Sequence, residues 1–188
     1  MIPEHPPTDF PPVRLTEQYE TPFRLAAEGL GEVNGRAVSA QSFRDVILDA
    51  RLSLTEGDEN DLCGVFLRQT EDRRFVAWGM SPGRRCLVGA VDGGLRPLVD
   101  GPLAPDMAFA EGLGQPHRFQ VVACGPSLTF VLNWMVVTGL TVDPRYKEGL
   151  LGFFVVRSAA EGRAELAADW LQVRAVLPGQ PAGGPAAA

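Results

Sequence analysis

From Phe23 to Val176 the chain is a succession of short apolar runs, each closed by a cluster of Gly, Pro, Asn or Asp, with almost no helical periodicity between them. "RDVILDARLSL" shows the pattern best. Val46, Leu48, Ala50, Leu52 and Leu54 alternate with Ile47, Asp49, Arg51 and Ser53, which is the period of a strand with one face buried. The other runs are "FRLAAEGL", "RAVSAQ", "LCGVFLRQ", "RRFVAWGM", "RCLVGAV", "RPLVDGP", "HRFQVVAC", "LTFVL", "MVVTGL", "GLLGFFVVR" and "ADWLQVRAV". About a dozen strands are more than one open sheet carries without curling or splitting. The expected fold is therefore all-β, a two-sheet antiparallel β-sandwich of jelly-roll type. A turn or short helix is expected in "APDMAFAEGLG".

A chain of 188 residues suits one domain with one core. Five prolines among the first dozen residues favour extended backbone, so residues 1–15 read as an arm, 16–177 as the sandwich and the Pro/Gly/Ala segment 178–188 as a flexible tail. A formal charge of -6 opposes binding to a phosphate backbone, and nucleic acid is not expected as a partner. No apolar run approaches the roughly 20 residues that span a bilayer, and the first residues lack the pattern of a signal peptide. A cytoplasmic protein without membrane insertion is the expectation.

Cys63, Cys86 and Cys124 are an odd number at wide spacing, which makes no disulfide framework. Each reads as a small buried hydrophobe. His5 and His117 are the only histidines, too few for a metal cluster or a set of triads. The acidic turn "EGDENDL" offers Asp58, Asn60 and Asp61 as oxygen ligands, a weak calcium candidate without EF-hand spacing, and a solvated hairpin loop is the favoured reading. No other cofactor is expected.

The segments "FRDVILDARLSL", "CGVFLRQTEDRRFVAWGM", "HRFQVVACGPSLTFVLNWMVV", "DPRYKEGLLGFFV" and "ADWLQV", in that order, resemble the concanavalin A-like lectin/glucanase sandwich in its laminin-G-like or keto-disaccharide hydrolase-like version. The resemblance spans Phe43 to Val176 and implies the fold more than a function, since this sandwich hosts lectins, glycosidases and adhesion modules. Two departures matter. Family hairpins place Asn-Gly at the turn, whereas Asn133 is followed here by Trp134, so the turn differs or the indole is held in place. The paired glutamates of the glucanase members are absent, which removes the retaining glycosidase reading.

Between Leu128 and Ser158 the strands are apolar on both sides. In "LLGFFVVR" one face carries Leu150, Phe154 and Val156 and the other Leu151, Phe153 and Val155. A partner, a ligand or a fold of the N-terminal segment must cover such surface. The main expectation is a non-catalytic binding module, a protein-interaction or accessory subunit that uses Trp134, Met135 and Phe153. The alternative is a carbohydrate-binding, lectin-like module, with Arg68, Gln120 and Asn133 beside Trp78. A glycoside-active enzyme of the same fold comes third. For Arg68 a strand-end ion pair with Glu71 or Asp72 competes with the ligand role, and Asp169 reads as pairing main chain or an arginine across the sheet.

Overall fold

The computed structural model describes residues 13–19, 23–39 and 41–176. Among them are thirteen strands and a single 3-10 turn, Pro144–Tyr146. In chain order the strands are β1 Val13–Tyr19, β2 Phe23–Ala27, β3 Val33–Ala37, β4 Val46–Glu56, β5 Leu62–Gln69, β6 Phe75–Met80 and β7 Arg85–Val91. They continue with β8 Leu95–Pro102, β9 His117–Cys124, β10 Ser127–Leu132, β11 Met135–Thr141, β12 Leu150–Val156 and β13 Ala164–Val176.

All pairings are antiparallel and form two sheets. The first runs β1-β13-β4-β9-β10-β11, with β2 beside β1 on the outer edge of β13; β1 pairs residues 171–176 and β2 pairs residues 164–168. The second runs β3-β12-β5-β6-β7-β8. This is the expected two-sheet sandwich. The arm boundary at residue 15 is corrected, since Val13, Arg14 and Leu15 already belong to β1; residues 1–12 and the tail 178–188 lie outside the described residues. "APDMAFAEGLG" is loop and turn without a helix. Among the described residues no helix is long and apolar enough to cross a membrane.

The core lies between the sheets. Trp78 packs against Phe119 and Phe130, with ring centroids 4.8 and 5.4 Å away, and Phe23 of β2 meets Phe153 of β12 at 5.6 Å. Trp78 is 0% exposed and Phe153 2%. Both were expected to meet a ligand or partner, and that is corrected: Trp78 points inward level with Val65 of β5 and Val88 of β7, and Phe153 points inward beside Val155 of its own strand.

The doubly apolar strands have a physical explanation on the outer face of the second sheet. Gly35, Gly64, Gly79, Gly89 and Gly152 occupy outward positions, and Phe66 and Phe154 lie across the floor they leave. A Cβ on Gly79 would stand 2.8 Å from Cζ of Phe154, and one on Gly152 2.3 Å from Cζ of Phe66. Leu62, Phe66, Ala77, Leu87 and Phe154 thereby form a second apolar cluster, each side chain 5% exposed or less. The face is a closed flat layer and not an open patch.

Candidate functional site

Three expected site residues serve the scaffold instead. Arg68 ends β5 at a φ of 60° and is wholly buried. Its guanidinium donates to the carbonyls of Tyr146 at 2.9 Å, Arg44 at 2.9 Å and Gly125 at 2.6 Å, tying three loops at one end of the sandwich. It does not meet Asp72, which pairs with Arg74. Met135 is half-buried and packs against the core from β11. In the acidic turn, Asp61 is likewise engaged by the scaffold. Asp61 accepts the main-chain N–H of Ser158 at 2.6 Å, its hydroxyl at 2.7 Å, the N–H of Asp58 at 2.7 Å, and Arg157. Both carboxylate oxygens are thus committed. Among the described residues no group of three or more His, Cys, Asp or Glu is placed to hold a metal ion. Burial raises the thiols of Cys63 and Cys86 to about 12 and about 11, whereas Cys124 is exposed, against the expectation for all three.

The polar and aromatic side chains gather on the outward face of the first sheet. Strand register sets them in two rows. One carries Gln172, Asp49, Gln120 and Val131 side by side; the next carries Trp170, Arg51 and Arg118 and reaches the β10–β11 turn at Asn133 and Trp134. Apart from Asp169, at the bulge before Trp170, their neighbours one residue along each strand point into the core, so these positions face outward by the period of two.

Arg118 is the hub. Its Nε donates to Oδ1 of Asp49 at 2.7 Å and its Nη2 to Oδ2, a bidentate pair that Gln120 joins through Nε2 at 3.4 Å. Its Cζ lies 3.5 Å from the ring centre of Trp134 and 5.5 Å from that of Trp170. Asp49 is 0% exposed beneath the cation that neutralises it, while Trp134 is 60% exposed beside it. Beside this hub Arg51 faces Asp169 at 3.4 Å, the cross-sheet arginine expected for that aspartate, and Arg174 donates to Gln172 at 2.7 Å.

The hairpin that presents Trp134 is unusual. Asn133 has a φ of 46° and Trp134 of 73°, the two positive values of a tight type I′ turn. A bulky residue in this region costs on the order of 1 kcal/mol. The stack on Arg118 contributes about as much in return, and Asn133 anchors the turn from inside. Its Oδ1 accepts the N–H of Arg118 at 2.8 Å, and its Nδ2 donates to the carbonyl of Ala108 at 2.7 Å. Nδ2 also lies 3.1 Å from Nδ1 of His117, whose Nε2 is 3.1 Å from the carbonyl of Ala110. The imidazole stacks on Phe109 at 4.1 Å, nearly parallel. Burial lowers the pKa of His117 below the ordinary 6.5, opposed by the bond to Ala110.

Of the expected residues, Gln120, Asn133 and Trp134 meet on this face. Asp49, Arg118, Trp170 and Gln172 complete it and were not foreseen, nor was His117, which backs the Trp134 hairpin from the core side of the sheet. The arrangement offers two indole planes around a fixed guanidinium and a rim of amides. That suits a ligand with apolar ring faces edged by hydroxyls. It holds no pair of free carboxylates, because Asp49 is locked to Arg118 and Asp169 faces Arg51.

No protein-family model and no curated protein sequence matches the chain. Solved structures do match. A carbohydrate-binding module of Bacillus subtilis is similar at a TM-score of 0.59 and 12% identity, covering 76% of this chain and 81% of that one. A β-glucanase of Bacillus licheniformis is similar at 0.58 and 9%, covering 80% and 77%. The catalytic domain of an endo-1,3-β-glucanase (laminarinase) of Thermotoga petrophila is similar at 0.57 and 9%, covering 88% and 98%. At these identities the likeness is one of fold alone, a two-sheet antiparallel sandwich of jelly-roll type.

Proposed function

We propose that the protein is a non-catalytic carbohydrate-binding module that seats a glycan on the outward face of its first sheet. The observation that carries this reading is Arg118, clamped to buried Asp49 and flanked by the indoles of Trp134 and Trp170. A sugar ring presents a C–H face that packs on an indole and an equatorial rim that exchanges hydrogen bonds with guanidinium and amide groups. Gln120 and Gln172 flank the hub with further donors and acceptors. That a carbohydrate-binding module and several glucanases share the fold adds support.

Hydrolysis with retention needs two facing carboxylates, and both acids near the hub are engaged by arginines. This favours binding over catalysis. The protein-partner reading is weaker than the sequence suggests, since Phe153 is core and the outer face of the second sheet is closed.

The test is calorimetric titration of the full chain with a panel of soluble glycans, β-glucan first, followed in parallel by tryptophan fluorescence. Binding with an indole response is expected, and Trp134→Ala should weaken it at least tenfold. Silence from every glycan at millimolar ring concentration, in heat and in fluorescence, overturns the reading.

A further inference from the structure

We propose that His117 is a positioning residue for Trp134: its neutral imidazole holds the hairpin that presents the indole, and its protonation releases that hairpin and weakens glycan binding. The functional half of this inference rests on the carbohydrate reading above.

The argument starts from Asn133. Its amide orientation is fixed by two main-chain partners that each have one role. The N–H of Arg118 only donates, so the atom facing it is Oδ1; the carbonyl of Ala108 only accepts, so the atom facing it is Nδ2. Nδ2 therefore also donates to Nδ1 of His117, which must carry a lone pair. The proton of the neutral ring is then on Nε2, where it meets the carbonyl of Ala110. Every polar atom of this chain is satisfied by one tautomer only.

Protonation adds a second N–H at Nδ1, pointed at the Asn133 amide that already donates to it. Two donors face each other at 3.1 Å. Flipping the amide would remove this conflict but would break both main-chain bonds of Asn133, and swinging the ring away would break the bond to Ala110 and the stack on Phe109. Either path loosens the turn whose next residue is Trp134.

The surroundings offer the imidazolium nothing in exchange. The cavity that His117 shares with Ser53, Ser81, Gln115 and Phe119 has one other titratable group, Cys63, and burial keeps that thiol neutral. On β9 itself Arg118 points to the opposite face of the sheet, as do Asp49 and Arg51 on neighbouring β4, while Glu56 is exposed at the end of that strand. The loop that covers the ring carries Asp106 and Glu111, both exposed, and Glu111 faces Arg84 beyond Phe109. Burial accordingly depresses the histidine, so the neutral form prevails at pH 7 and is lost as pH falls below 6.5.

The experiment follows the indole N–H resonance of Trp134, assigned by comparison with Trp134→Phe, in the full 15N-labelled chain from pH 7.5 to 5. The His117 ring is followed in the same samples, and affinity for soluble β-glucan is measured at each pH. The expected result is one shared midpoint below 6.5 for the ring and the indole, with affinity falling by up to about tenfold per pH unit past it. His117→Asn keeps an acceptor oxygen near the place of Nδ1 and does not titrate, so it should flatten both curves. A Trp134 resonance that stays still while His117 titrates overturns the proposal, as does an unchanged response in His117→Asn. The wild-type titration decides alone if that variant does not fold. Should β-glucan bind at no pH, the binding reading loses its first ligand while the resonance data still decide whether His117 governs Trp134.

Discussion

Trp134 sits where glycine would be at ease, which separates its cost to folding from its use on the surface. Trp134→Gly relieves a positive φ worth on the order of 1 kcal/mol and removes a stack on Arg118 of similar size. The two changes oppose each other. Thermal stability should therefore stay within about 1 kcal/mol of the parent, while glycan affinity drops at least tenfold; a scanning calorimetry trace beside a binding isotherm checks this. A loss of several kcal/mol would mean that the indole braces the fold rather than a ligand. The sequence signals this residue through the missing glycine after Asn133, and the observed turn resolves the alternatives by doing both things at once: it keeps the tight geometry and holds the ring. Its partner was not legible. Arg118 and Asp49 lie 69 residues apart and meet only because β9 pairs with β4, an order that local alternation does not encode.

At the level of elements, β5, β7 and β9 begin and end where alternation and turn residues place them. β1 was concealed by the prolines before it, and the start of β13 by the alanines of "AELAA", which carry little strand preference. Alternation alone also leaves open which face is the interior when both are apolar, which is why Trp78 and Phe153 were assigned outward. The glycines of β3, β6 and β12 were the overlooked clue, since they mark where phenyl rings lie flat. Their substitutions should rank by what a methyl group would strike. Gly79→Ala meets the far end of the Phe154 ring, which can shift, at a cost of about 1–3 kcal/mol. Gly152→Ala meets the carbonyl oxygen of Arg36 at 2.2 Å as well as Phe66, so main chain must move and the cost should exceed that range. Urea midpoints of the two variants give the order, and equal midpoints would show that the glycine floor is not tightly packed.

Across the whole molecule, two buried groups should give the acid response two steps. His117 has a folded pKa below its unfolded value of about 6.5, so the unfolded chain binds the proton first. Stability from this group is present above that pH and is lost as pH falls from 6.5 toward the folded value. Asp61 works lower on the scale. Burial raises its carboxyl, but Ser158, the N–H of Asp58 and Arg157 more than offset this and leave it below 3.8, so its contribution is present above 3.8 and is lost as pH falls through the folded value. Urea midpoints measured from pH 7.5 to 3 should therefore decline once below 6.5 and again below 3.8. His117→Asn should erase the first decline and leave the second. Asp61→Asn should do the reverse from a lower start, because it leaves Arg157 buried without its partner at a cost of about 3–5 kcal/mol. The two groups sit at different places, one under the Trp134 hairpin and the other between the β4–β5 loop and the end of β12, so the double variant should lose the sum of the single effects. A single step common to both variants would instead mean that one cooperative acid transition, set by net charge, governs the sandwich.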